Sequence, residues 1–309
     1  GLVTPGLVDP YTHLLFAGSR EAELLLRLRG TGYLDILAAG GGILATVRAT
    51  RAASRPVLLE HGRRWLGEML RHGATTVEVK SGYGLDVATE LRLLETAGVL
   101  AAEGPGDVVP TFLGAHAVAP ECATPERPEV GRERYVRHVV EEQLPAVAAQ
   151  GIARFCDVFC ERGVFETDEA RVILTTARSL GLNLRLHADE LAPSGGAELA
   201  AELGAASADH LAAVSEAGIE ALAAAAEGGR PVVAVLLPVT TWFLRKDRPA
   251  PARRLIEQGV PVALGTDFNP GTAPTPNLSL VMTLAVLELN LTPAEALAGV
   301  TVNAAHALG

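Results

Sequence analysis

The sequence lacks most of what would staple, anchor or localise a chain in an obvious way. Three cysteines in 309 residues do not make a disulfide framework. Cys156 and Cys160 fall four apart on one expected strand, too far apart to bridge, and with no second pair they are not a zinc knuckle. No apolar run is long enough to span a bilayer, and no leader-like segment opens the sequence. Positive charge is in deficit, with 26 Lys and Arg against 36 Asp and Glu and a formal net charge of -10. That balance argues against nucleic acid or an anionic membrane as partner, and the expected location is cytoplasmic. A Gly-rich phosphate loop and internal repeats are also missing. Apolar residues are abundant, at 49% of the chain, enough for a sizeable core. The length suits one α/β barrel domain over residues 1–309. Gly1 stands first and Leu2–Val8 already has a strand pattern, so the chain is expected to be a piece of a longer one.

The apolar residues recur in short runs with a common ending. Leu182–Leu186 alternates Leu with polar residues, the period of a strand, and runs into His187-Ala188-Asp189-Glu190. Runs built alike are Gly6–Pro10 before Tyr11-Thr12-His13, Thr75–Lys80 before Ser81-Gly82-Tyr83-Gly84, and Val108–Leu113 before His116. Phe155–Phe159, Ala206–His210, the wholly apolar Val232–Leu237 and Val260–Leu264 before Asp267 complete eight expected strands. Helical patterns separate most of them: Pro56–Arg71, Ala88–Ala102, Arg132–Ala149, Ser194–Leu203 and the Ala-rich Ser215–Ala226. Thr167-Asp168-Glu169 is expected to cap another, and Thr292-Pro293-Ala294-Glu295 to start one. The connection after Arg20, with Gly40-Gly41-Gly42, is expected to begin as loop. A (β/α)₈ TIM-like barrel is the expected fold. A doubly wound open sheet is the alternative, disfavoured by the missing phosphate loop.

In such a barrel the C-terminal strand ends meet at one mouth. Of eight histidines, His13, His116, His187 and His210 lie at strand ends. His61, His72, His138 and His306 lie in helical or helix-flanking sequence, where a packed or solvated ring is the default. His13, His187, His210 and Asp267 together point to a metal site, in which a bound divalent ion brings the pKa of water near neutrality. Asp267 can ligate or take a proton, and Glu190 can act as base or orient a leaving nitrogen. Tyr11 shares a strand face with His13, as Glu78 does with Lys80. Arg20 reads either as a fork for a carboxylate or as a surface pair with Glu21 or Glu23.

These stretches resemble the amidohydrolase superfamily and, within it, the imidazolonepropionases of histidine degradation. The resemblance is carried by Thr4–Pro10, Gly18-Ser19-Arg20-Glu21, Val79–Gly84, Phe112–Ala117, His187–Glu190, Ser207–His210, Thr266–Gly271 and Thr301–Ala305. It implies a metal-dependent barrel that opens the ring amide of 4-imidazolone-5-propanoate with water, giving N-formimidoyl-L-glutamate. By the resemblance, His13, His187 and Asp267 hold zinc or iron. Arg20, Tyr83, His116 and Glu190 hold substrate, His210 polarises the carbonyl, and Asn269, Gly271 and Thr272 line the pocket. Glu190, His210 and Asp267 are then the catalytic set. The implied partner is a small-molecule substrate, and a homodimer is compatible with it. Two departures stand out. The family has His-x-His where this sequence has Tyr11-Thr12-His13, and it carries a small β-rich domain, built from both chain ends, that this sequence lacks. Alternative functions are hydrolysis of another cyclic amide, a deamination, or a non-catalytic homologue whose metal site Tyr11 impairs.

Overall fold

The structure is a computed structural model that describes residues 3–31, 36 and 40–309. Eight parallel strands run in sequence order: β1 Leu7–Asp9, β2 Ala74–Lys80, β3 Asp107–Ala115, β4 Phe155–Cys160, β5 Asn183–Ala188, β6 Ser207–His210, β7 Val233–Leu236 and β8 Val262–Leu264. The ring closes between its ends through a parallel Thr12–Phe268 bridge, with Asp267 N donating to Tyr11 O at 3.0 Å and His13 N to Phe268 O at 2.9 Å. Alternation decides which side chains go where. Val77, Val79, Leu184, Leu186 and Val262 are buried in the large cluster shared with the outer helices. Glu78, Lys80, Asp157, Arg185 and Asp209 are fully buried on the opposite, inward face of their strands.

That interior holds a charge network beneath the mouth. Lys80 Nζ lies 2.9 Å from Glu78 Oε1 and 2.7 Å from Asp157 Oδ2. Arg185 lies 3.3 Å from Glu78 and 3.5 Å from Asp209, and donates to the carbonyls of Pro10 and Ala307 at 2.9 and 3.1 Å. An apolar cluster that includes Val109, Phe155, Val233 and Ala263 takes in Ala304, Ala307 and Leu308 of the helix Val302–Leu308. Removing one partner from such a network leaves a buried charge uncompensated, a cost of roughly 3–5 kcal/mol.

Several local expectations need correction. The connection after Arg20 begins as a helix, Glu21–Leu28, with Glu21 and Glu23 in its first turn. The helix expected from Arg132 starts at Pro128 and continues through a π turn, Val139–Gln143, into Leu144–Gln150. Pro is tolerated at the start of a helix because its missing N–H would be unpaired there anyway. Glu166, rather than Thr167, caps the helix Thr167–Ser179, through a box with Glu169. The capping box of Thr292 and Glu295 is present as expected. No helix among the described residues is long and apolar enough to cross a membrane.

Candidate active site

Strand ends deliver the polar residues because the chain must turn there, and several of those turns use left-handed backbone. Asp189, His210 and Asp267 have φ of +50°, +74° and +53°, a conformation that costs energy for residues other than Gly and gathers at functional sites. His13, His187, His210 and Asp267 meet at one mouth. The His13 and His187 ring centres are 5.6 Å apart and those of His187 and His210 5.3 Å apart. His13 Nε2 is 3.5 Å from Asp267 Oδ1. Asp267 also accepts from the Thr240 hydroxyl.

His116 joins them. One ligating atom from each of His13, His116 and His187 lies within 4.8 Å of the others, so these three can hold a metal ion. The His116 and His13 rings stack with centres 4.8 Å apart. The donor set fits a divalent cation of the zinc or iron kind. Among the described residues, His13 Nδ1 is buried without a partner. His116 Nδ1 faces the Gly82 carbonyl at 3.0 Å, which as an acceptor selects the tautomer whose Nε2 carries the lone pair. His187 Nδ1 lies 3.0 Å from Asp157 Oδ2, off hydrogen-bond alignment but close enough for the carboxylate to orient a metal-binding imidazole. Burial pushes His116 and His210 down to about 3, and His13 well below its ordinary value. All three rings are therefore neutral at pH 7, the form that ligates.

Tyr11 is fully buried among these rings, edge-on to His13, His187 and His210. Its Oη is 3.1 Å from His210 Nε2, and Lys80 Nζ sits 4.1 Å from its ring centre. Burial and the nearby carboxylates of Asp157 and Asp267 hold the phenol well above its ordinary pKa. It is a neutral hydrogen-bonding group, engaged with His210.

Tyr83 is buried 5.7 Å from the His13 ring and 5.4 Å from that of His116. Arg20 makes the pair that its sequence allowed as an alternative, with Nε and Nη2 donating to Glu23 Oε2 at 3.0 and 2.8 Å. Both side chains are largely buried, so this is no surface pair. A Cβ at Gly271 would come within 2.1 Å of Arg20 Nη1, so the glycine lets the guanidinium lie against the loop after β8. Asn269 builds that loop: its Oδ1 accepts from Gly271 N and Thr272 N at 2.8 Å each. Glu190 is bound by Lys246 at 3.1 Å and lies 3.9 Å from His210 Nε2. Burial opposes its ionisation, yet His210 and Lys246 hold the carboxyl at about 2. Burial raises Asp267 to about 7 against the pull of Thr240.

Glu90, Asp157 and Lys246 go unread in the sequence. Asp157 had a signal, since the alternation of Phe155–Cys160 turns it inward beside Lys80. Glu90 and Lys246 lie outside the strands and had none.

A parallel barrel with neutral imidazoles and a carboxylate at its mouth defines a metal-assisted hydrolase scaffold, and the chain belongs to the amidohydrolase family, whose model matches residues 2–309. Within that family it falls among the imidazolonepropionases. It is 55% identical over 307 residues to imidazolonepropionase of Geobacillus thermodenitrificans, covering 99% of this chain and 70% of that protein. It is 50% identical to imidazolonepropionase of Streptococcus sanguinis, covering 99% and 70%. Among solved structures, 5-methylcytosine deaminase of Klebsiella pneumoniae superposes with a TM-score of 0.72 at 18% identity, covering 98% of this chain and 74% of that one. That likeness is one of fold.

Proposed function

We propose that the chain hydrolyses the ring amide of 4-imidazolone-5-propanoate, giving N-formimidoyl-L-glutamate in histidine degradation. It is a hydrolase of cyclic amides, and a small molecule is its substrate. The relatives above share one name, which does not favour another cyclic amide, a deamination or a non-catalytic role. The observation that carries the reading is the convergence of His13, His116, His187 and Asp267 beside Tyr83, Arg20 and Glu190.

His13, His187 and Asp267 would hold zinc or iron, with His116 placed to add a third imidazole. A bound ion supplies Lewis-acid activation of water at neutral pH. The remaining work falls to the side chains. Arg20 keeps an edge free of Glu23 for the propionate, and Tyr83 borders the ring. The Asn269–Thr272 loop closes the pocket. His210, steadied by Tyr11, donates toward the amide oxygen where negative charge develops. Asp267 accepts the water's proton, and Glu190 relays that proton to the ring nitrogen as the C–N bond breaks. One carboxylate and one formimidoyl nitrogen result.

The test follows the ultraviolet absorbance of the substrate and the mass of the product, with a propionate-free imidazolone as control. Loss of substrate with formation of N-formimidoyl-L-glutamate, and poor use of the control, is expected. Equal use of both would remove Arg20 from the site, and use of neither would end the assignment.

A further inference from the structure

Glu90 stands in the first turn of the helix Val87–Glu103, fully buried, and makes no ion pair among the described residues. Its carboxylate is instead wrapped by the loop after β2. Oε2 accepts from Gly82 N at 2.9 Å, and Oε1 accepts from Gly84 N and Leu85 N at 2.8 Å each. The loop has no slack around this anchor. Gly82 has φ of +100°, and a Cβ there would come within 2.9 Å of Leu113 O and 3.0 Å of His116 Nδ1. A Cβ at Gly84 would come within 2.8 Å of Glu90 itself. The other side of the same loop faces the site: the Gly82 carbonyl holds His116 Nδ1 at 3.0 Å, and the ring of Tyr83, whose residue lies between the anchored amides, is centred 5.4 Å from that of His116. A buried carboxylate that spends its acceptors on three backbone amides sets the path of that backbone, because each unmade bond would strand a charge.

We propose that Glu90 is a positioning residue for substrate: its carboxylate clamps residues 82–85 and so places Tyr83 and His116, without touching the reacting atoms. This rests on the reading of Tyr83 and His116 as substrate-facing residues. A displacement of about 1 Å at such groups can cost on the order of 10²-fold in rate. Glu90→Gln keeps the shape but sets an N–H₂ against one of the loop amides.

The experiment has two arms on the whole protein. In the first, Glu90→Gln should raise KM for imidazolonepropionate by about 10-fold or more, towards that limit, with kcat falling less. The penalty of Tyr83→Phe measured in the unsubstituted protein should largely vanish in the Glu90→Gln background. In the second, amide hydrogen exchange over residues 82–85 should be slow in the unsubstituted protein and faster in the variant. Should Glu90→Gln fail to fold, Glu90→Asp, one methylene shorter with the charge kept, should shift both readouts in the same direction. An unchanged KM with an undiminished Tyr83→Phe penalty, or unchanged exchange over 82–85, would overturn the clamp. Unsubstituted protein inert toward the substrate would overturn only the functional reading, and the exchange arm would still decide the role of Glu90.

Discussion

Tyr11→His is the most informative substitution. The phenol is fully buried and its Oη meets His210 Nε2 at 3.1 Å. Replacing it removes that bond, and a buried ring nitrogen left unpaired costs about 1–3 kcal/mol. In the metal-free protein the variant should therefore be less stable. With metal the sign should reverse. The new imidazole joins His13, His116 and His187, whose ligating atoms already lie within 4.8 Å of one another. An outer-shell partner alone is worth 10–100-fold in metal affinity, so an added ligand should tighten zinc by at least about 10-fold, or 1.4 kcal/mol. Saturating zinc returns that energy to the folded state. The assay pairs thermal melts with and without zinc with competition against a chromophoric chelator. Turnover should rise with occupancy. An unchanged or weaker zinc affinity, with equal losses in Tm with and without zinc, would refute the idea that Tyr11 stands at the edge of the metal site.

Asp157→Asn should lower zinc affinity 10–100-fold by freeing His187, measured by the same chelator competition, and should cost stability through Lys80, which lies 2.7 Å from Asp157. Lys80→Met should destabilise the barrel by about 3–5 kcal/mol, read by urea denaturation. Arg20→Lys should lower kcat/KM for imidazolonepropionate, since a point charge cannot reproduce two parallel bonds of about 1.5–3 kcal/mol each, while leaving a propionate-free analogue unaffected. His61, packed on Phe16 and Trp65, is lowered by burial to about 4. The unfolded chain takes up that proton near 6.5, so its contribution to stability is present above that pH and is lost as pH falls toward about 4. An NMR titration of the ring that gives its ordinary value would contradict this.

Much of the site is legible in sequence because a strand has period two and ends in a turn. Leu184 and Leu186 facing out force Arg185 and His187 in, and the same parity applied to β2 turns Glu78 and Lys80 inward. The barrel follows from eight such runs. What period two cannot convey is the direction of long side chains on loops. Whether Arg20 meets Glu21, Glu23 or solvent depends on the helix Glu21–Leu28, whose first turn has the sequence pattern of a loop. Lys246 reaches Glu190 across 56 residues, a contact no local pattern encodes. Tyr11 is a mixed case: its face is legible, but its bond to His210 depends on where β6 ends.

The most direct test is a metal titration of turnover. Protein stripped by a chelator and reloaded with zinc or iron in steps should regain imidazolonepropionate hydrolysis in proportion to bound metal, saturating near one ion per chain. His13→Ala and His187→Ala should abolish both binding and recovery. Turnover that survives complete removal of metal, or that ignores the loss of these histidines, would contradict the assignment of the barrel mouth as a metal-assisted hydrolytic centre.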